Sequence, residues 1–540
     1  MGYTVTWADQ KLNGNEIAKL NKDGLDVFKD LPELVKHPFS EIDPSYYMYF
    51  KYAGLTVQKP QSAGMFMLRV KIPGGRINVK QGEHLAWIAN EYGHNVIDLT
   101  TREAVQYHWA PFNELLKIFQ GLNDVGLTTV GAEGDITRNV VDNPLSGIDP
   151  DELFDTRSIV MDVYRRFQGN YDYSNLPRKF KISISTDIHN NADYQINDLA
   201  FIPAVKTIRG RQVQGFNVFV GGGLGSKPQL AQQMNIFVRP NRVADIAEVV
   251  CGLYRDHGFR RSRSKARLKF LIKDWGIDEF ERLVRKQLPR LPYAGETKIV
   301  DWNKKILGIH PQKQQGYYYA GISVPAGRMS GDDFRAVVEL AAKYGKDEIR
   351  FDDKQNMIIP WIAEQDLEAF KAEPILQRYS VKPGLLADYG TTCTGAEYCN
   401  LANAHTKSVF KPLIDELDAR FSLDVPMRIT MTGCGSNCAH RSIADIGLEG
   451  VHARTPDKKQ TEGYRLAVGG SLEGTGHFNE QLKGTLSAQQ LPDALSAIIN
   501  DYQDNREGEE SFYHYFNHAG VDHFQEVLNN YLSTQTEVLR

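Results

Sequence analysis

Four of the chain's five cysteines stand in two pairs, Cys393 with Cys399 and Cys434 with Cys438. The pairs read C-x5-C and C-x3-C, with 34 residues between them. Four thiolates can hold a [4Fe–4S] cluster or a structural zinc ion. Structural zinc favours tighter knuckles than C-x5-C, and two glycine-flanked loop pairs are a poor pattern for inert core cysteines. The cluster is the better reading, with zinc and simple burial as the alternatives. Cys251 is different. It lies in a helical pattern with Val243, Ala247, Val250 and Tyr254 at core spacing, so it is expected to pack.

Cationic side chains gather in four short motifs: Met67-Leu-Arg69-Val-Lys71, Thr101-Arg102, Thr137-Arg138-Asn139 and Leu176-Pro-Arg178-Lys179-Phe180-Lys181. Arginine grips oxyanions and carboxylates in a bidentate manner, and lysine offers a mobile charge and a proton. Any one motif alone reads as solvated surface charge. Beside a four-thiolate site, together they suggest an anionic substrate, an anionic cofactor or both. A further run, Arg260 to Lys269, carries six basic residues in ten and reads as a solvated helix or as contacts to cofactor carboxylates. Nucleic acid is disfavoured there, because no aromatic stacking surface accompanies the charge. Gly221-Gly222-Gly223 is no dinucleotide fingerprint, since position 226 is Ser. With no visible flavin or nicotinamide site, electrons would have to come from another protein.

The elements that position these residues are duplicated. Pro73-Gly74-Gly75-Arg76 matches Pro325-Ala326-Gly327-Arg328 at an offset of 252, and the same offset pairs Tyr92 with Tyr344, Gly93 with Gly345 and Trp109 with Trp361. Each copy reads strand, turn, helix, strand, strand: Met65–Ile72, the Pro-Gly turn, a helix through Leu85, Ile88 and Ala89, then Val96–Leu99 and Val105–Trp109. A second repeat matches 181–199 to 428–446 at an offset of 247. The predicted organisation is A–B–A′–B′, an α+β protein with a pseudo-two-fold. Its units are an arm at 1–60, A at 61–150, B at 151–300, A′ at 301–385 and B′ at 386–540. The halves diverge at the chemistry: Arg69 faces Gly321, Thr101-Arg102 faces Asp353-Lys354, and Cys434 and Cys438 have no cysteine counterparts in B. One site built between the halves fits this better than two.

The 540 residues carry a net charge of −4, which removes a global electrostatic case for nucleic acid or anionic membrane as main partner. No stretch of about 18 apolar residues suggests a membrane span. The polar N-terminus resembles no signal peptide, so a cytoplasmic protein is expected.

Taken together, C-T-G-A-E-Y-C, C-G-S-N-C, LPRKFK, TRN, TTR…Q and the duplicated halves resemble the sirohaem-dependent nitrite/sulfite reductases over residues 10–530. The resemblance implies ferredoxin-like A units and mixed α/β B units around one central cofactor site. It implies a [4Fe–4S] cluster held by Cys393, Cys399, Cys434 and Cys438, with Cys438 also the axial ligand of the sirohaem iron. It places substrate among Arg69, Arg138, Lys179 and Lys181, and assigns Arg102, Gln106, His108, Arg178 and Asn437 to the cofactor. It implies ferredoxin or flavodoxin as donor, and a monomer. Lys-x-Lys at 179–181 favours sulfite; plant-type nitrite reductases have Asn at the second position, and nitrite stays open as the alternative. A distant alternative is a non-catalytic sirohaem and Fe–S binding protein. The chain departs from the family where C-P-N-x-C becomes C-G-S-N-C, losing a stiffening Pro. It departs again at Thr56 and Glu133, which occupy the positions of a Tyr–Cys link found in some relatives, so no crosslink is expected. Glu133 puts a carboxylate near a site that should be cationic.

Overall fold

The computed structural model describes residues 11–302, 305–382, 384–387, 389–535 and 539. The first copy of the repeat folds as its pattern predicts. Met65–Val70 is a strand, and Pro73–Gly75 turns the chain with Gly74 and Gly75 at φ +59° and +65°. The helix Val79–Tyr92 follows, then strands Val96–Leu99 and Val105–Pro111. Asn78 starts the helix with a reciprocal cap: the Gln81 N–H donates to its Oδ1 at 2.8 Å, and its own N–H donates to Gln81 Oε1 at 3.0 Å. The second copy runs Tyr317–Ile322, Gly331–Tyr344, Ile349–Phe351 and Met357–Ala363, with Ser330 as the helix cap.

Neither A unit closes its sheet alone. Arg328–Ser330 of the second copy pairs with Val96–Leu99 of the first, and Arg76–Ile77 of the first pairs with Ile349–Phe351 of the second. Each five-stranded sheet therefore ends on a strand lent by the other half. The two repeat helices lie against each other, and a side chain added at Gly82 would come within 2.7 Å of Val338 Cγ2. Leu85, Ile88 and Ala89 share one hydrophobic core with Val337, Val338 and Ala341. That shared burial makes A and A′ one body.

The B units each hold three parallel strands extended by antiparallel strands. In B the order runs Val141–Asp142, Ile182–Ile184, Leu199–Ile208, Arg211–Val220, Gln232–Val238. In B′ it runs Thr391–Thr392, Ile429–Thr432, Ile446–Arg454, Gln460–Val468, Glu480–Gln481. Each has its own core. The duplication persists in backbone geometry that side chains normally avoid. His94, Asn95, Glu103 and Trp109 have positive φ, as do Lys346, Asp347, Gln355 and Trp361 at the same offset; Asn190 and Asp193 match Asn437 and His440.

Two predicted boundaries move. Leu55–Val57, assigned to the arm, is a strand of the first sheet: Leu55 and Val57 bury their side chains and pair across from Leu68 and Phe66. Val141–Asp142, assigned to A, pairs in parallel with Ser183 and Ile184 and belongs to the B sheet.

The arm is anchored by charge. Its helix, Gly14–Asn21, inserts Glu16 and Lys19 into the protein. Glu16 pairs with Lys19 and with fully buried Arg260, and Lys19 donates to the Leu176 carbonyl at 2.9 Å and reaches Asp135 at 3.4 Å. Removing one partner of a buried pair typically costs about 3–5 kcal/mol, because the other charge stays buried. Glu16→Ala is therefore expected to lower the denaturant midpoint clearly and to expose the arm to early proteolysis; wild-type resistance in both assays would contradict the anchoring.

Candidate active site

The parallel pair of B′ explains why the cysteines converge. Thr391 and Thr392 pair with Thr430 and Met431, so both cysteine loops leave the same end of adjacent strands. Cys393 N–H donates to the Met431 carbonyl at 3.2 Å, and Gly433 N–H donates to Cys393 Sγ at 3.2 Å. Burial, with the nearby Cys438 and Cys399 adding to it, raises Cys393 to about 12. Cys399 is likewise raised by burial, with Cys438 and Cys434 adding to it. The four sulfurs thus lie within electrostatic reach of one another, the condition a bound cation relieves. Among the described residues no three His, Cys, Asp or Glu side chains converge on one metal ion. Thiolates on separate irons of a cluster stand farther apart than ligands of a single ion.

Inside the C-G-S-N-C loop, Asn437 adopts φ +58°, a conformation Asn tolerates better than most residues. Its side chain donates to Ser442 Oγ and accepts from Ser442 N–H at 3.2 Å. Asn437, which the resemblance assigns to the cofactor, uses its amide to latch its own loop, stiffening it where the family's Pro is missing. Its repeat twin Asn190 does the same, donating to Gln195 Oε1 at 2.8 Å.

The loops rest on the first A unit. Tyr398, between the first two cysteines, stacks on His108 with centroids 4.1 Å apart, and Arg328 lies 5.0 Å over its ring. His108, expected at the cofactor, has both nitrogens engaged: Nε2 with Asp98 Oδ2 at 3.0 Å and Nδ1 with Gln58 Nε2 at 3.3 Å. Burial holds it below its usual pKa despite Asp98. His108 therefore supports the cysteine loop rather than presenting a nitrogen to the cleft. Asp98 itself stays ionised against its burial, held down by Lys407 and by a bidentate Arg328 at 2.7 and 2.8 Å. Gln106 is a link as well. Its Nε2 donates to Thr394 Oγ1 at 2.6 Å, and its Oε1 accepts from Arg69 Nη2 at 2.9 Å. Thr101 Oγ1 donates to the Cys438 carbonyl at 3.1 Å.

A cationic wall faces the cysteines. Residues 135–138 and 176–180 are laced together by Leu176 N–H to Asp135 O, Phe180 N–H to Ile136 O and Arg138 N–H to Phe180 O. This sets Arg138, Arg178 and Lys179 on one surface. Arg138 is fixed on the carbonyls of Ala132 and Gly134, at 3.1 and 2.9 Å. Arg102 is fixed by Asn197 Oδ1 and the carbonyls of Asn139 and Ile182. Arg178 lies 3.4 Å from Asp135. Lys179 and Lys181 have no hydrogen bond or ion pair for their ammonium groups among the described contacts. Burial lowers Lys179 to about 7, with Arg267, Arg138 and Arg178 adding to it, while Cys438 pulls the other way. Lys181 is pushed well below its usual value by burial, then by Arg102, Lys179 and Arg267. The thiolate side and the cationic side thus sense each other across the cleft.

The basic run 260–269 is not a solvated helix. Arg260 is buried, Arg263 clasps Asp135 at 2.7 and 2.9 Å, Arg267 clasps Asp198 at 3.0 and 2.7 Å, and Lys269 caps the carbonyls of Gly223 and Leu224. Arg267, part of that run, acts on Lys179 and Lys181 and so joins the wall. Cys251 is buried beside Thr137, the packing residue expected. Thr56 and Glu133 are neighbours, joined at 2.6 Å.

Comparison with known proteins agrees with this geometry. Residues 57–125 and 310–376 match the nitrite/sulfite reductase ferredoxin-like half domain, and residues 133–291 and 390–536 match the nitrite and sulphite reductase 4Fe-4S domain. The chain belongs to the nitrite and sulphite reductase family. It is 35% identical to a ferredoxin–nitrite reductase of Synechococcus elongatus over 92% of this chain and 97% of that one. It is 31% identical to a ferredoxin-type sulfite reductase of Mycobacterium tuberculosis over 93% of this chain and 94% of the relative. The solved structure of the Mycobacterium tuberculosis NirA protein superposes with a TM-score of 0.91 at 31% identity, covering 96% of this chain and 99% of that one.

The cofactors of the nitrite and sulphite reductase family are a [4Fe–4S] cluster and sirohaem. The residues present fit both. Four thiols with amide N–H groups aimed at Cys393 Sγ are a donor set for the cluster. A wall in which Lys179 and Lys181 lack counter-ions suits a tetrapyrrole bearing many carboxylates. If Asn437 is the latch of the third and fourth cysteines, Asn437→Ala should lose iron faster to a chelator than wild type. The strained backbone alone costs about 1–2 kcal/mol, so Asn437→Gly, which relieves φ but not the latch, should fall between. Wild-type iron retention in both variants would contradict the assignment.

Proposed function

We propose that this chain reduces sulfite to sulfide, taking six electrons one at a time from reduced ferredoxin, with flavodoxin as the alternative donor. What carries the reading is the pair Lys179 and Lys181, whose ammonium groups have no hydrogen bond or ion pair among the described contacts, with Lys179 within electrostatic reach of Cys438. The cluster and sirohaem, when bound, supply the electron relay and the iron at which the oxyanion is held.

In this reading Cys393, Cys399, Cys434 and Cys438 would hold the cluster, and Cys438 would also hold the sirohaem. Arg102, Arg178 and Arg267 offset the tetrapyrrole carboxylates, each already oriented by Asn197, Asp135 or Asp198. Arg69 and Arg138 bind the substrate oxygens, and their fixed guanidinium groups avoid reorganisation as charge develops on departing oxygen. Lys179 and Lys181 hold and pass protons. Sulfite to hydrogen sulfide ion consumes seven protons with its six electrons, so donors with lowered pKa values are what the reaction needs. Arg69 is joined through Gln106 to Thr394, so the substrate side and the cluster loop form one hydrogen-bonded unit. Among the described residues no helix is long and apolar enough to cross a membrane.

Nitrite is the second reading, favoured by the 35% identity to the Synechococcus enzyme. The charge of Lys181 supports sulfite, because a second lysine suits a dianion better than a monoanion. Lys181→Asn is expected to reduce kcat/KM for sulfite at least tenfold relative to nitrite, with one reduced donor used for both. An unchanged ratio would remove the charge argument and leave nitrite the better reading.

A further inference from the structure

Among the described residues, Glu133 is the carboxylate that pairs with one of the four cations assigned to substrate, Arg69. Its Oε1 lies 3.1 Å from Arg69 Nη1, and its Oε2 accepts from Thr56 Oγ1 at 2.6 Å. It is 9% exposed. Burial opposes its charge, but Arg69 and Arg138 outweigh that, with Thr56 and Lys51 helping, and the carboxyl stays below its usual range. Arg69 is gripped on its other side by Gln106 at 2.9 Å. The remaining cations of the pocket differ. Arg138 rests on neutral carbonyls, and the ammonium groups of Lys179 and Lys181 have no partner among the described contacts. Arg69 alone among these four has its charge cancelled by a carboxylate of its own.

We propose that Glu133 is a specificity-determining residue: by neutralising Arg69 it lowers the pocket's preference for doubly over singly charged oxyanions, so that hydrogen sulfite and nitrite compete with sulfite. This rests on the cleft being the oxyanion site. A fixed negative charge repels a dianion twice as strongly as a monoanion at the same place. Lys181 and Glu133 then act in opposition. The lysine draws in the second negative charge and the glutamate resists it.

The test is optical titration of the oxidised holoenzyme with sulfite and with nitrite, across the pH range in which hydrogen sulfite loses its proton. Glu133→Gln keeps the shape and can keep hydrogen bonds to Thr56 and Arg69 while removing the charge. It should tighten sulfite relative to nitrite by about tenfold, and the gain should grow as pH rises and the dianion forms. A purely structural role would move both affinities together with no pH trend, and that result overturns the proposal. Thr56→Val keeps the carboxylate and should leave the sulfite-to-nitrite ratio at its wild-type value, as should Glu133→Asp. A ratio shifted in either of these variants would mean that charge is not the cause. Failure of the underlying reading looks different: neither anion would perturb the wild-type spectrum at all.

Discussion

The site depends on the two short strands that the halves exchange. Arg328 enters the first A sheet opposite Asp98, and Arg76 enters the second opposite Arg350. Because each sheet is finished by the other copy, A and A′ cannot shift without breaking ladder hydrogen bonds and dividing their shared core. Asp98 turns that exchange into a site. Arg328 arrives with the borrowed strand, Lys407 with B′ and His108 with the neighbouring strand, and all three meet its carboxylate. His108 and Arg328 then flank Tyr398 inside the first cysteine loop. Strand exchange, a buried ion cluster and an aromatic stack therefore lead in sequence to the position of Cys393 and Cys399.

Opposite this, the first half presents positive charge that it does not neutralise. Buried cations without partners are costly, and the protein limits the cost unevenly. Asp135 takes Arg178, Arg263 and Lys19; Asp198 takes Arg267; Glu133 takes Arg69. Lys179 and Lys181 have no ion pair among the described contacts. The result is a cleft whose stability and loading with anionic cofactor are linked, since anything anionic that binds only the folded state stabilises it.

Much of this was legible in the sequence. The duplication, the helices and strands of the A units, the four cysteines and the cationic motifs were all carried by local patterns and repeat offsets. What local patterns did not carry has a shared cause. His108 and Asn437 sit in the right motifs, but their roles depend on Asp98, Gln58 and Ser442, partners that no local spacing reveals. The run 260–269 was read as a solvated helix or as contacts to cofactor carboxylates, because composition reports charge and not the Asp135 and Asp198 that receive it. The boundaries near 60 and 150 slipped because strands as short as Leu55–Val57 and Val141–Asp142 have too few residues to show a period. Positive φ at Asn437 and Trp109 was invisible too, because it is imposed by a loop in the one and by a register shift within strand Val105–Pro111 in the other, and not by the residue.

The central claim is a single site in which the thiolates of one half and the cations of the other act on one coupled cofactor pair. Low-temperature Mössbauer and EPR spectra of the wild-type holoenzyme and of Cys438→Ser test it most directly. Wild type should contain about four cluster irons besides the haem iron, magnetically coupled, and Cys438→Ser should lose that coupling. A coupled spectrum surviving in the variant, or wild-type protein purified with zinc in place of iron, would contradict the account.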